Sequence, residues 1–507
     1  MRRSMRRSAP LLLLLLLASA CTVGPDYKQP EPQAPAAFAE PQPSDGGVDL
    51  AAWWQAFDDP ELTHLIEIGL AQAPDLQTAQ SRVREARFEV IEARSAGLPS
   101  VNGSGNGEYI RSQQIGGSDV GKLIDRVTGG QTGGTGTTAN AGNVSIPRDI
   151  KTFSAGFDAS WELDLFGGVR RSVEAARAQE EAAQWNARDA RVQLAAEIAS
   201  DYLQMRGYQE QARIAAAEAD RQARSLSILQ HTAQVGLVPQ GNAIRQRTQL
   251  AQAQAQISPL KAQAGAQIHA IGVLIGETPE ALIAELNTDM PLPKVPPQVP
   301  PGLPVDLIRR RPDVRAAERQ LAAATAQIGV AVADLYPKIT LTAMPQLATA
   351  WLGGFFLGKT FDLTAQGALS FPIFDFGQRR AAIEVRREER EQAYIQWRQT
   401  VLGALRDVED VLVRIAGERD SNADLRDGVV AAQRSLATVQ AQYQVGLQDY
   451  TPVLDGQQQL LQAQNNLAQS DVRLRTDLAS LYKALGGGWS AADAPPVRPV
   501  IEDAPKR

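Results

Sequence analysis

The chain meets itself when it is shifted by 210 residues, without a gap, from Phe166 to Gly276. Phe166-Gly167 falls on Phe376-Gly377, Arg170 on Arg380, Glu174 on Glu384 and Arg188 on Arg398. Gln234-Val235-Gly236-Leu237 falls on Gln444-Val445-Gly446-Leu447, Gln249-Leu250 on Gln459-Leu460, and Gly276 on Gly486. Upstream the offset becomes 238, with Pro74-Asp75 on Pro312-Asp313 and Leu98-Pro99 on Tyr336-Pro337. The difference is an insertion of 28 residues in the first copy, and the Gly/Thr-rich tract Gly129 to Gly142 lies inside it. That tract reads as a long loop. A chain of two copies must therefore build two versions of one unit.

Each copy holds a Pro-free stretch too long for an ordinary domain: Val169 to Gln234 and Gln378 to Val445. At 1.5 Å per residue, each helix would be roughly 100 Å long. Helices of that length bury their apolar stripe as coiled coils. The returning segment shows the heptad in Leu460, Leu467, Leu474 and Leu481, with Leu250, Ile257 and Ile271 at matching places in copy one. Shorter helical stretches precede the strands, at Glu61 to Gly97 and Asp306 to Leu335. Between the copies, Met290 to Pro304 carries seven prolines and is expected to be neither helix nor central strand. A second Pro-rich segment spans Pro25 to Pro43.

The strands give the second signal. From Phe153, odd residues are apolar (Phe153, Ala155, Phe157, Ala159, Trp161, Leu163, Leu165) and even ones are polar or small. Copy two repeats this with Phe361, Leu363, Ala365, Leu369, Phe371 and Ile373. Alternation over about 12 residues suits an outer-membrane strand, apolar toward lipid and polar toward a lumen. The partner strands are weaker, at Val101 to Tyr109 and at Ile339 to Ala343 with its less regular continuation. Trp161, Trp351, Phe355, Phe356 and Phe376 are candidates for interfacial girdles. Four strands cannot close a barrel. Two chains would give 8 strands with a filled interior, and three would give 12 and room for a channel, by the scaling of barrel diameter with strand number (roughly linear).

The N-terminus reads as a secretory signal: Arg2-Arg3-Ser4-Met5-Arg6-Arg7, an unbroken run from Leu11 to Leu17, then Ala18-Ser19-Ala20 before Cys21. The apolar run is short of the roughly 20 residues that span a bilayer. Cys21 after small residues resembles a lipobox, with Ala18 where Leu is usual, and Ala18-Ser19-Ala20 would also satisfy ordinary signal peptidase. Lipidation of Cys21 is expected, by diacylglycerol and a fatty acyl chain. Cys21 is the sole cysteine, which excludes an intrachain disulfide framework and a Cys-based metal site. The three histidines, His64, His231 and His269, lie far apart, and no catalytic constellation is evident. Net charge is −6, and −10 without the four leading arginines, which argues against nucleic acid as a partner.

These pieces together resemble the TolC/OprM-type outer membrane factors, in their lipoprotein, NodT-like branch. The resemblance runs over nearly the whole chain. It rests on Val23-Gly24-Pro25-Asp26-Tyr27, on WWQAFDDP from Trp53, on DLFGGVRR from Asp164 and on IGVLIGETP from Ile271. It rests also on the segment from Arg310 through LYPKITLT and on YQVGLQDYTPVLDGQQQLLQAQ from Tyr443. It implies a mainly α fold with a trimeric 12-stranded outer-membrane β-barrel, four strands per chain, continuous with a long periplasmic α-helical barrel. The expected organisation is signal peptide 1–20, lipidated extended segment 21–60, repeat one 61–276, Pro-rich equatorial connector 277–304, repeat two 305–486 and tail 487–507. The implied function is a passive exit duct for small molecules in a tripartite efflux system, in the outer membrane and reaching into the periplasm. The implied partners are two further copies, a periplasmic adaptor, an inner-membrane efflux pump and outer-membrane lipid.

The resemblance also implies site residues. Val235, Gly236, Leu237, Val445, Gly446 and Leu447 would meet the adaptor. Asp455 matches an aspartate that rings the pore, and Thr451 matches an apolar constriction residue. The aspartate and arginine that hold the TolC gate shut fall on Asn242 and Gln448, both neutral, and the second TolC pore aspartate falls on Pro452. One carboxylate ring is therefore expected, with a closed state held by packing more than by ion pairs. Two other readings use the same pattern: a type I protein secretion duct, and a non-porous periplasmic coiled-coil scaffold.

Overall fold

Both halves of the chain lay down the same elements in the same order. A computed structural model describes residues 22–32, 34–39, 48–111, 149–288, 290–296, 302, 304–352 and 355–490. The expected signal peptide, Cys21, the Gly129 to Gly142 tract and most of the tail lie outside the described residues. The first half runs α1 (Pro60–Gln72), α2 (Pro74–Ser95), β1 (Ser100–Arg111), β2 (Asp149–Leu163), α3 (Gly168–Gln234), α4 (Gln240–Ile275) and a single turn α5 (Ile283–Leu286). The second runs α6 (Pro304–Arg310), α7 (Pro312–Ala333), β3 (Lys338–Leu352), β4 (Phe355–Ser370), α8 (Gln378–Gln444) and α9 (Thr451–Ala484). The two long helices are each 67 residues. The shorter helical stretches each break once, before Pro74 and before Pro312, because proline disfavours a helical residue in front of it.

The chain divides into two units. One holds the four strands and the helix ends beside them. Its sheet is antiparallel in the order β1-β2-β3-β4, with Ser100 opposite Ser160, Ala159 opposite Ala343 and Lys338 opposite Ser370. Phe153, Phe157, Leu341, Leu347, Phe361, Leu363 and Leu369 lie on one face and are exposed. Gly156 lets β3 approach closely: a Cβ there would sit 2.7 Å from the Pro345 carbonyl oxygen.

β1 is longer than its sequence implies, and β3 takes in the less regular continuation after Ala343. β1 spans 12 residues and β3 spans 15. β1 is mostly Gly, Asn and Ser, so its pattern is faint, and pairing with the strongly patterned β2 defines it. Conversely, alternation continues past the ladder. β2 ends at Leu163 and β4 at Ser370, short of Leu165 and Ile373. Asp164 turns the chain after β2, accepting from the backbone N–H of Arg170 at 3.0 Å and from its guanidinium at 3.3 Å.

The residues after Cys21 are fastened to this unit. The Val23 N–H donates to Phe166 O at 3.1 Å. Arg171, almost fully buried, donates to Val23 O at 3.1 Å and to Asp26 and Glu174 at 2.7 Å each. Gly24 takes φ +91°, and a Cβ on it would meet Gly329 Cα at 2.5 Å.

The other unit is helical, and its core begins with the motif at Trp53. Leu50–Phe57 forms a 3-10 helix within the segment expected to be extended, capped by the Asp49 carboxylate. Trp53 stacks on Tyr482 at 5.1 Å and meets Phe57 edge-on at 6.1 Å. Asp59 caps α1 through Leu62 N–H at 3.0 Å and accepts the Tyr202 hydroxyl at 3.0 Å. The described connector residues 290–296 are irregular, and buried arginines hold the segment. Arg206 donates to Thr288 O at 2.9 Å and Arg475 to Pro293 O at 2.6 Å.

On α3, partial burial pushes the Asp201 carboxyl up to about 6, and Glu197 adds to the shift. A raised carboxyl favours the protonated folded state, so stability rises as pH falls through about 6 toward the ordinary value of 3.8. Asp201→Asn is expected to melt higher than the parent at pH 7.5 and level with it near pH 4. Thermal scans of the detergent-extracted protein at both pH values check this.

Candidate functional site: the helix tips

The two long helices end in the same motif. Leu237 N–H donates to Thr232 O at 2.9 Å and Gly236 N–H to Ala233 O at 3.1 Å. Leu447 N–H donates to Gln442 O at 2.9 Å and Gly446 N–H to Tyr443 O at 3.0 Å. Both are Schellman ends, which need a left-handed residue after the helix. Gly236 and Gly446 take φ +76° and +74°, and neither has anything within 4 Å of a would-be Cβ. Glycine is required here by conformation and not by crowding.

This turn throws the flanking apolar residues outward. Val235 is 59% exposed, Leu237 75%, Val445 71% and Leu447 75%. Each tip thus carries a small apolar knob around a glycine, in duplicate, as the repeat requires. Paired exposed apolar residues at a helix end are the kind of surface that a partner covers.

The expected gate residues fall on the returning helices. α9 opens at Thr451, whose N–H donates to Asp449 Oδ1 at 3.1 Å. Thr451 is half-buried, and Asp455, one turn on, is exposed. Asn242, near the start of α4, is buried, and its Oδ1 accepts from Arg245 Nη2 at 2.6 Å. Gln448 is exposed. No hydrogen bond joins Asn242 to Gln448 among the described residues, because the Asn242 amide is turned to its own helix.

A polar cluster just behind the tips escaped the sequence reading. Gln246 is fully buried, and Gln222, Gln457, Glu218 and Tyr450 nearly so. Gln246 Nε2 donates to Gln222 O at 3.0 Å, and the Tyr450 hydroxyl donates to Gln246 Oε1 at 3.1 Å. Gln222 Nε2 donates to Gln457 Oε1 at 3.2 Å and also to Glu218, which accepts from Arg221 Nε at 2.9 Å. Burial raises the Tyr450 phenol above its ordinary value, so it stays a donor. The cluster ties α3, α4 and α9 to the turn that precedes α9. Leu229, Leu436, Val453 and Leu460 pack around Tyr450 in one apolar group. The signal was present in the heptad: Gln457 follows Tyr450 by seven residues and precedes Leu460 by three, which points it into the seam.

Among the described residues no helix is long and apolar enough to cross a membrane. The four-stranded sheet, the paired long helices and the duplicated tips are the build of an outer-membrane channel protein. The outer membrane efflux protein family matches at residues 65–277 and 303–487. The chain belongs to the outer membrane efflux protein family. It is similar to nodulation protein T of Rhizobium leguminosarum bv. viciae, 31% identical over 489 residues, 96% of this chain and 94% of that one. It is similar also to the pyoverdine export outer membrane protein OpmQ of Pseudomonas aeruginosa, 31% identical over 87% of this chain and 88% of OpmQ. Among solved structures, the outer-membrane channel OprN matches with a TM-score of 0.79 and 30% identity, over 92% of this chain and all of that one.

Replacing Gln246 with Leu would leave the Tyr450 hydroxyl and the Gln222 backbone carbonyl without their present partner. A buried polar group left unpaired costs about 1–3 kcal/mol. Gln246→Leu is expected to speed amide exchange at the two tips by about tenfold or more, with the strands unaffected, as read by hydrogen exchange and mass spectrometry.

Proposed function

We propose that this chain is the exit duct of a tripartite efflux system. Three copies contribute four strands each to a 12-stranded barrel. The long helices form the periplasmic conduit, and the two tips dock a periplasmic adaptor that hands on the cargo of an inner-membrane pump. Transport is passive, and the pump supplies the energy. Cys21 carries the lipid anchor, and the fastening of Val23 to Asp26 against Arg171 keeps that anchor beside the strands.

The observation that carries this reading is the sheet. It exposes a row of large apolar side chains on one face, and it has two edges, β1 and β4. In lipid every backbone polar group must be paired, so an open sheet of this kind has to be completed by further copies. A periplasmic coiled-coil scaffold has no use for such a face. The cargo is read as small molecules, since OpmQ is named for pyoverdine export and two Pseudomonas putida relatives for toluene efflux.

At the tip, three copies of Asp455 would gather around the axis one turn beyond Thr451. Carboxylates crowded in this way attract cations and narrow the passage. Planar-bilayer recording of the purified protein is expected to give small, cation-selective currents. Asp455→Ala should raise the conductance by about twofold or more and weaken the cation preference. Unchanged conductance and selectivity would remove Asp455 from the pore. A trimer that conducts in neither form, even with adaptor present, would remove the duct.

A further inference from the structure

We propose that β4 of each chain pairs with β1 of the partner subunit with Leu369 opposite Gly105, and that Phe376 packs on Leu98 of the partner subunit. The proposal rests on the trimeric reading above and adds the register and the contact that close it.

The repeat predicts hydrogen-bond register as well as element order. Ser100 pairs with Ser160. Moving the first by 238 and the second by 210 gives Lys338 and Ser370, which are paired in β3 and β4. The two offsets therefore convert one observed ladder into another. The β2–β3 ladder has no such counterpart within one chain, because its image joins β4 to β1 across copies. Ala159 pairs with Ala343, and the same offsets convert that pair to Leu369 and Gly105. Trp161 with Leu341 becomes Phe371 with Gly103, and Leu163 with Ile339 becomes Ile373 with Val101.

Three features agree with this register. First, it sets odd residues opposite odd ones, so the apolar face stays continuous across the junction, whereas a slip of one residue would turn it over. Second, β4 stops at Ser370, although its counterpart β2 runs on to the equivalent of Ile373. The end of β2 is held by β3. The end of β4 awaits the same support, and Ile373 is 90% exposed. Third, Phe166 stacks on Tyr336 at 4.6 Å within the chain. The image of that pair is Phe376 on Leu98, and in one chain these are 91% and 64% exposed.

Cys21 is the only native cysteine, so introduced pairs report directly. Gly105 has open space where a Cβ would go. The paired variant Gly105→Cys/Leu369→Cys, in the full chain under mild oxidation, is expected to give covalent oligomers up to the trimer. It should exceed Gly103→Cys/Leu369→Cys and Gly107→Cys/Leu369→Cys by about fivefold, because directly opposite residues alone reach disulfide distance. Val101→Cys/Ile373→Cys and Leu98→Cys/Phe376→Cys are expected to crosslink as well, and they keep the test decisive if the Gly105 variant fails to fold. Preferential crosslinking of a shifted pair, or a trimeric protein in which none of the predicted pairs crosslinks, overturns the register while leaving the channel reading intact. Light scattering of the parent chain separates the two: a monomer there counts against the trimer itself.

Discussion

A 67-residue helix cannot bury its own apolar stripe, and the rest of this chain follows from that constraint. The returning helices α4 and α9 exist to cover the seam. Their heptad residues do so along the length of the helical unit. Leu460 packs with Leu229 and Leu436 near the tips, and Leu474, Leu478 and Leu481 pack with Val408, Leu412 and Ile415. Ile268, Ile271 and Ile275 join Ile198, Tyr202 and Leu203 in the group built on Trp53 and Phe57. A seam of this kind needs a tight reversal at one end, which the two Schellman glycines provide. It needs a place to stop at the other, where Gly276 ends α4 with φ +87°.

The segments that leave the helical pattern are held by buried arginines. Arg171 fastens the strand-side N-terminal residues, and Arg206 and Arg475 hold the Pro-rich connector. Arg311, between α6 and α7, reaches Asp313, Asp407 and the Ala484 carbonyl. Proline-rich backbone has few N–H donors, and its carbonyls are left to be satisfied from outside. A guanidinium with five fixed donors does this at several points at once. The irregular parts are thus as determined as the helices, by side chains distant in sequence.

That division explains what could be read from residues alone. The long helices, their tips and the patterned strands were legible because each depends on local periodicity. Gln234 and Gln444 end their helices within a residue of the expected places. β1 was faint because glycine and asparagine carry no face, and its pairing comes from a strand distant in sequence, with Ser100 opposite Ser160 and Arg111 opposite Asp149. The 3-10 helix at Leu50 lies in a segment whose sequence reads as extended chain, because its signal is tertiary: both tryptophans are buried in one group with Tyr202 and Tyr482. Ile373 and Phe376 continue the apolar pattern and are exposed, although Phe376 meets Phe374 at 4.4 Å. On the trimeric reading proposed above, a partner subunit covers them.

The tip shows the same logic at a functional place. The resemblance placed a charged gate pair at Asn242 and Gln448, and both are neutral here. Buried polar contacts lie further in, at Gln222, Gln246, Gln457 and Tyr450, and they join Glu218 and its partner Arg221. An exposed ion pair weakens gradually with salt and with pH. A buried polar cluster penalises every intermediate in which a donor or acceptor is left without a partner. Such a cluster favours discrete arrangements over gradual loosening, since movement of α9 against α3 must either carry the cluster whole or re-pair it. On the proposed reading of the tips as an adaptor dock, opening requires that this cluster move whole or re-pair.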